Sequence, residues 1–118
     1  MPFMSDQTLV IEIAPGPNDG ERILRLSGPI VLNNFFDFQR AVHEDTSKTL
    51  ILDFSQVPYI DSAAIGALMM GYVHRQKDNL AILLVGVSPR VRTALEVTKV
   101  AQFFQFADSI PDARTANA

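Results

Sequence analysis

Between residues 50 and 77 the chain passes from a short apolar run to a longer pattern with a helical repeat. Leu50, Ile51, Leu52 and Phe54 surround a single Asp53, as expected of a buried strand. A polar turn, Ser55-Gln56-Val57-Pro58, follows. Ile65, Leu68, Met69 and Tyr72 then recur at the spacing of one helix face. Asp61 and Ser62 stand where that helix begins, and both residue types accept unpaired N–H groups of a first turn. The pattern puts Ser62 at a helix mouth with its hydroxyl facing outward, a position suited to regulation.

The flanking segments are as readable. Residues 8–14 alternate and stop at Pro15-Gly16-Pro17-Asn18-Asp19-Gly20, a dense turn signal. Residues 21–27 alternate again, with Ile23, Leu24 and Leu26 as core candidates, so the two segments read as an antiparallel pair. Gly28-Pro29 breaks the second strand, and Asn33 or Asn34 can cap a helix through Phe35, Phe38, Val42 and His43, ending near Thr46-Ser47. After Asp78-Asn79, residues 80–86 are nearly all apolar, like a central strand covered on both sides. Ser88-Pro89 opens a further helix with Val91, Leu95 and Thr98 on one stripe. Phe103, Phe104 and Phe106 suggest a short final strand, and residues 109–114 a last helical turn. Two strands followed by alternating helices and strands predict an α/β fold, a mixed sheet of four to five strands with helices packed on it. One domain is expected over residues 1–118, with its core in 8–108 and flexible ends at 1–7 and 115–118.

Composition narrows the function classes. A chain of 118 residues, 47% hydrophobic and 19% charged, suits a single globular domain. With no cysteine, disulfides, thiolate metal sites and cysteine nucleophiles are excluded. The first residues lack a basic region followed by an apolar run, and no segment approaches the 18 or so apolar residues of a membrane span, so a cytoplasmic protein is expected. A net charge of −3 argues against nucleic acid or a membrane surface as the main partner.

Candidate chemistry points away from catalysis. A nucleophilic Ser62 needs a base within hydrogen-bond reach, yet His74 lies about 18 Å along the same helix at 1.5 Å per residue. His43 belongs to another helix. Two histidines without carboxylates at ligand spacing make no metal site, and each reads as a solvated helix residue. Neither glycine-rich phosphate-binding motif is present, so no cofactor is expected. Gly66 and Gly71 sit inside the helix, where glycine costs about 1 kcal/mol relative to alanine. Together with Ala63, Ala67, Met70 and His74, Gly66 suggests a low face kept for a docked partner, Met70 being an adaptable apolar contact.

The stretch Asp61-Ser62-Ala63-Ala64-Ile65-Gly66-Ala67-Leu68 resembles the D-S-x-x-[LI]-G-x-[LI] signature of STAS domains. Leu26-Ser27-Gly28 resembles the family's L-x-G after its second strand, and Val87-Ser88-Pro89-Arg90-Val91 the [IV]-S-P-x-V that begins its third helix. The resemblance covers residues 9–108 and implies a single STAS-type domain. In the anti-sigma-factor antagonist branch it implies phosphorylation at Ser62, by a serine-kinase anti-sigma factor that the unmodified protein binds, thereby freeing a sigma factor. A phosphoserine phosphatase would restore the antagonist, and Asp61, Ser62, Ala63, Gly66, Ala67, Met70 and His74 would form the docking surface. Other family roles are an accessory subunit of a lipid-transport ABC system or a stressosome-like scaffold component. Three positions depart from the pattern: Val31 where many antagonists carry an aspartate, Ala63 where Ser, Thr or Gly is usual, and Lys99 where a glycine commonly follows the third helix.

Overall fold

The alternation of the first segments forms a hairpin. In the computed structural model, which describes residues 8–110, β1 (Val10–Pro15) pairs antiparallel with β2 (Glu21–Ser27). The remaining strands, β3 (Thr49–Gln56), β4 (Ala81–Val85) and β5 (Gln105–Ala107), follow in spatial order, each parallel to its predecessor. Crossover helices α1 (Phe35–Glu44), α2 (Ser62–Lys77) and α3 (Pro89–Val97) connect them, with a short 3-10 turn (Ala101–Phe103) before β5. This is the α/β architecture expected, with five strands.

One sheet face carries Leu24, Leu26, Leu50, Leu52, Phe54 and Leu84 against Phe38, Val42, Ala67, Leu68, Val91 and Leu95 of the helices. On the other face Ile23, Ile51, Leu83 and Val85 are buried with Ala14, Ala107 and Ile110 packed against them. Burial on both faces is why β3 and β4 read as unbroken apolar runs. Gly71 lets α1 and α2 approach closely, since a Cβ there would lie 2.6 Å from Val42 Cγ1.

Arg75 carries no signal in the apolar pattern, yet it is fully buried. Its Nη1 donates to Asp45 Oδ2 at 2.9 Å and to the Asp45 carbonyl at 3.1 Å. Nη2 donates to the carbonyls of Ser47 and Ala81 at 2.6 and 3.1 Å. Burial lowers the Arg75 pKa from its ordinary value, and the charge and hydrogen bond of Asp45 oppose that shift. Asp45 explains why α1 ends at Glu44 and not near Thr46-Ser47. Its backbone turns extended so that its carboxylate can meet Arg75 and the backbone and hydroxyl donors of Ser47.

Ser88 caps α3 as expected, its Oγ accepting from Val91 N–H at 3.2 Å, with Pro89 in the first turn. Thr98 is exposed and off the buried stripe of Val91 and Leu95; its hydroxyl donates to the Ala94 carbonyl at 2.8 Å, closing the helix end. The three phenylalanines divide. Phe103 ends the 3-10 turn, Phe104 is buried, and only Phe106 enters β5. The expected ends at 1–7 and 115–118, and residues 111–114 of the last helical turn, lie outside the described residues.

Lys99 adopts φ +63°, just past α3, where the Lys99 and Val100 amides return to the carbonyls of Glu96 and Leu95. A side chain is strained in this left-handed region, which glycine enters freely. Lys99→Gly should therefore raise stability by about 1 kcal/mol, a melting shift of roughly 4 °C, read by thermal or denaturant unfolding.

Candidate functional site

The mouth of α2 is built by two chain segments running side by side. β2 ends at Ser27, and Gly28 donates its N–H to the Gln56 carbonyl at 2.9 Å. Gly28 has φ +108°, and a Cβ there would overlap the Thr8 carbonyl oxygen, so the L-x-G glycine is a steric requirement. Beyond it Ile30 forms a parallel bridge with Ile60: Ile30 N–H donates to the Tyr59 carbonyl and Asp61 N–H to the Ile30 carbonyl. The loop before α1 is thereby held beside the entry to α2. Asn34 tightens it, its side chain accepting from Val31 N–H and donating to the Pro29 carbonyl.

Asp61 is the N-cap of α2, and Ser62 stands one place inside the helix. One Asp61 carboxylate oxygen accepts from Ala64 N–H at 3.1 Å, the other from Leu32 N–H at 2.9 Å. Asp61 therefore does more than mark a turn: it joins helix mouth and loop through a single side chain. Ser62 is exposed, and among the described residues no hydrogen bond holds its hydroxyl. The first turn of α2 contains no acidic residue, so the positive end of the helix dipole is uncompensated except by its cap.

The helix is phased differently from the apolar stripe. Ala64, Ala67, Leu68, Gly71 and Arg75 point inward, whereas Ile65, Met69 and Tyr72 lie half-buried on the flank. Ala67, expected on the docking face, is only 3% exposed and belongs to the core. The reason is close packing: Ala64, Ala67 and Gly71 let the helix approach the sheet and α1 around Leu68, while Ile65, Met69 and Tyr72 spread to the flank. Ala63, Gly66, Met70 and His74 keep the outer position, with Met70 61% exposed and no atom within 4 Å of a Cβ built on Gly66. Gly66 and Gly71 thus serve opposite purposes, one open surface and the other helix packing.

The surface reaches further than the helix pattern indicated. Leu32 and Phe36 are each 67% exposed, and Val73 joins Met70 on α2. A shallow groove of about 140 Å³ runs between Gln39 and His43 of α1 and Met70, Val73, His74 and Lys77 of α2. His43 and His74 are not independent solvated residues; their rings stack across this groove with centroids 4.1 Å apart. No spacing rule links positions 43 and 74, so only the packing of α1 on α2 reveals the pair.

The STAS domain family model matches residues 10–113, and the chain belongs to that family. An anti-sigma factor antagonist from Mycobacterium paratuberculosis superposes with a TM-score of 0.78, at 21% identity over 92% of this chain and 93% of that one. The murine Slc26a9 anion transporter contains a similar domain, with a TM-score of 0.77 and 22% identity over 97% of this chain, which spans 23% of the transporter. The Bacillus cell fate determinant SpoIIAA in its phosphorylated form gives a TM-score of 0.68 at 14% identity, over 92% of this chain and all of that one. At such identities the likeness carries the fold.

The double role of Asp61 makes it the most sensitive position in the site. Asp61→Ala should cost about 1–2 kcal/mol, the upper part of the N-cap range. Hydrogen exchange at the Leu32 amide should accelerate beyond what that global loss produces, whereas a simple helix cap would leave Leu32 unchanged.

Proposed function

We propose that the protein is an anti-sigma-factor antagonist, switched by phosphorylation of Ser62. The observation that carries this reading is the serine hydroxyl, exposed on the first turn of α2 and without a hydrogen-bond partner among the described residues, next to the Asp61 cap that holds the loop carrying exposed Leu32. A small-residue face beside exposed apolar anchors suits a partner that packs closely. That partner is a serine-kinase anti-sigma factor, whose capture by the unmodified protein frees a sigma factor in the cytoplasm. Asp61, Ser62, Ala63, Gly66, Met70 and His74 form the contact surface, extended by Leu32 and Phe36 of the neighbouring loop and helix.

The protein is then a substrate and a switch and does no catalysis itself. The kinase transfers the terminal phosphoryl group of ATP to Ser62 Oγ, releasing ADP and the hydroxyl proton. A phosphatase later hydrolyses the ester. Phosphoserine adds roughly −1.5 to −2 charge at neutral pH, and docking would press that charge against a desolvated surface. Val31, where an aspartate is usual, is buried, so this protein offers the kinase no carboxylate there. Partner choice must rest on the apolar contacts and on Asp61.

Incubation with the cognate kinase and ATP, followed by mass spectrometry, tests the assignment. The parent should gain one phosphate, mapped to Ser62. Ser62→Ala should fold, bind the kinase and remain unlabelled, acting as a permanent antagonist. Equal labelling of Ser62→Ala would overturn the site. A STAS subunit of a transport system would instead tolerate Ser62→Ala and bind an ATPase without being modified.

A further inference from the structure

The groove between α1 and α2 has a chemistry of its own, apart from the helix mouth. It is lined by the side chains of Gln39, His43, Met70, Val73, His74 and Lys77, and it continues along α1 to Phe36 and Arg40. Phe36, Gln39, Arg40 and His43 follow the spacing i, i+3, i+4, i+7, and Met70, Val73, His74 and Lys77 repeat it on α2. Each wall is thus one helix face, about 10 Å long. Phe36, Met70 and Val73 are exposed apolar side chains along it. Every polar side chain of the lining, Gln39, Arg40, His43, His74 and Lys77, carries an N–H donor, and none is a carboxylate. Among the described residues these five side chains make no hydrogen bond or ion pair. That runs against a chain with 13 acidic and 10 basic residues. The carboxylates of α1, Asp37 and Glu44, line the opposite flank, over the β1–β2 hairpin.

We infer that this groove docks an acidic amphipathic α-helix of a protein partner. The backbone groups of both walls are paired within their helices, so no strand can add to them and recognition falls to side chains. The matching helix lays an apolar stripe over Phe36, Met70 and Val73. Its flanks carry Asp or Glu, facing Arg40 on one wall and Lys77 on the other. A basic helix would meet two cations and no carboxylate. An anionic membrane is disfavoured by the net charge of −3 and by the concave shape. The inference rests on the reading of the α2 face as a docking surface, with which it shares Met70 and His74, and not on Ser62 as the modified residue. His74 stands about 18 Å from Ser62 along α2, beyond the roughly 8 Å screening length at physiological salt. This contact therefore persists when Ser62 is charged.

Three helical peptides of about 16 residues test the inference. All carry the same leucine stripe, flanked by glutamate, glutamine or lysine. In amide NMR titrations of the unphosphorylated full chain, the glutamate peptide should give saturable shifts at Gln39, His43, Val73, His74 and Lys77. Its affinity should exceed that of the lysine peptide by at least about tenfold. Arg40→Glu combined with Lys77→Glu, both at exposed positions, should reverse that order. Val73→Ser should weaken the glutamate peptide several-fold, whereas Ser62→Asp should change its affinity by less than about twofold. A chain that ignores the glutamate peptide yet is labelled at Ser62 by a kinase would overturn this inference and leave the phosphorylation switch standing. A chain that binds the peptide in the groove but is never labelled would do the reverse. Equal affinity for the glutamate and lysine peptides, shifts centred elsewhere, or binding to phosphatidylserine-containing vesicles in place of the peptide would also overturn the inference.

Discussion

The buried pair of Arg75 and Asp45 is the constraint on which the arrangement of α2 depends. One guanidinium reaches the α1–β3 turn through Asp45 and Ser47, and the start of β4 through Ala81, from the last turn of α2. Removing one partner of such a pair leaves an uncompensated buried charge and typically costs about 3–5 kcal/mol. An apolar residue of similar volume at position 75 would strip Asp45 of its buried partner and leave the Ser47 and Ala81 carbonyls without these donors. The pair therefore specifies the rotation of α2 as well as holding it. At the other end of the 16-residue helix, Asp61 fixes the mouth to the loop before α1. With both ends tied, which side chains face outward is no longer free to vary, and Ser62, Gly66 and Met70 come to share one accessible surface.

That geometry bears on how a phosphate on Ser62 would act. At a helix N-terminus the dipole and first-turn N–H groups favour negative charge, typically by 0.3–1 kcal/mol and up to about 2 in partly buried settings. Asp61 is adjacent and repels, but solvent and salt screen the repulsion at an exposed position. The opposed contributions are similar in size, so the domain itself should tolerate the modification. A docked partner changes the balance by excluding the screening water. The switch then belongs to the interface and leaves the fold intact.

Much of this architecture was legible in the chain. The runs that became β3 and β4, the Ser88-Pro89 helix start and the Gly28 break each carry a local cause, and each fell where expected. The hydroxyl of Ser62 was correctly put at a helix mouth, but Asp61 turned out to be the cap, because two adjacent capping residues compete and the loop amide of Leu32 decides between them. Ala67 was misassigned because large apolar residues dominate a periodicity reading, whereas close helix packing selects small ones. Arg75 could not be found that way at all: its burial depends on Asp45, thirty residues distant in sequence. The His43–His74 stack and the exposure of Leu32 and Phe36 likewise arise only when α1 is laid on α2.

The most direct measurement compares unmodified and Ser62-phosphorylated protein by thermal melting and by calorimetric titration against the kinase partner. The account requires melting temperatures within a few degrees of each other, a stability change of no more than about 1 kcal/mol. Affinity for the partner should fall by well over tenfold, more than about 1.4 kcal/mol. A collapse of the melting temperature on phosphorylation, or an unchanged affinity, would contradict a switch that acts at the interface.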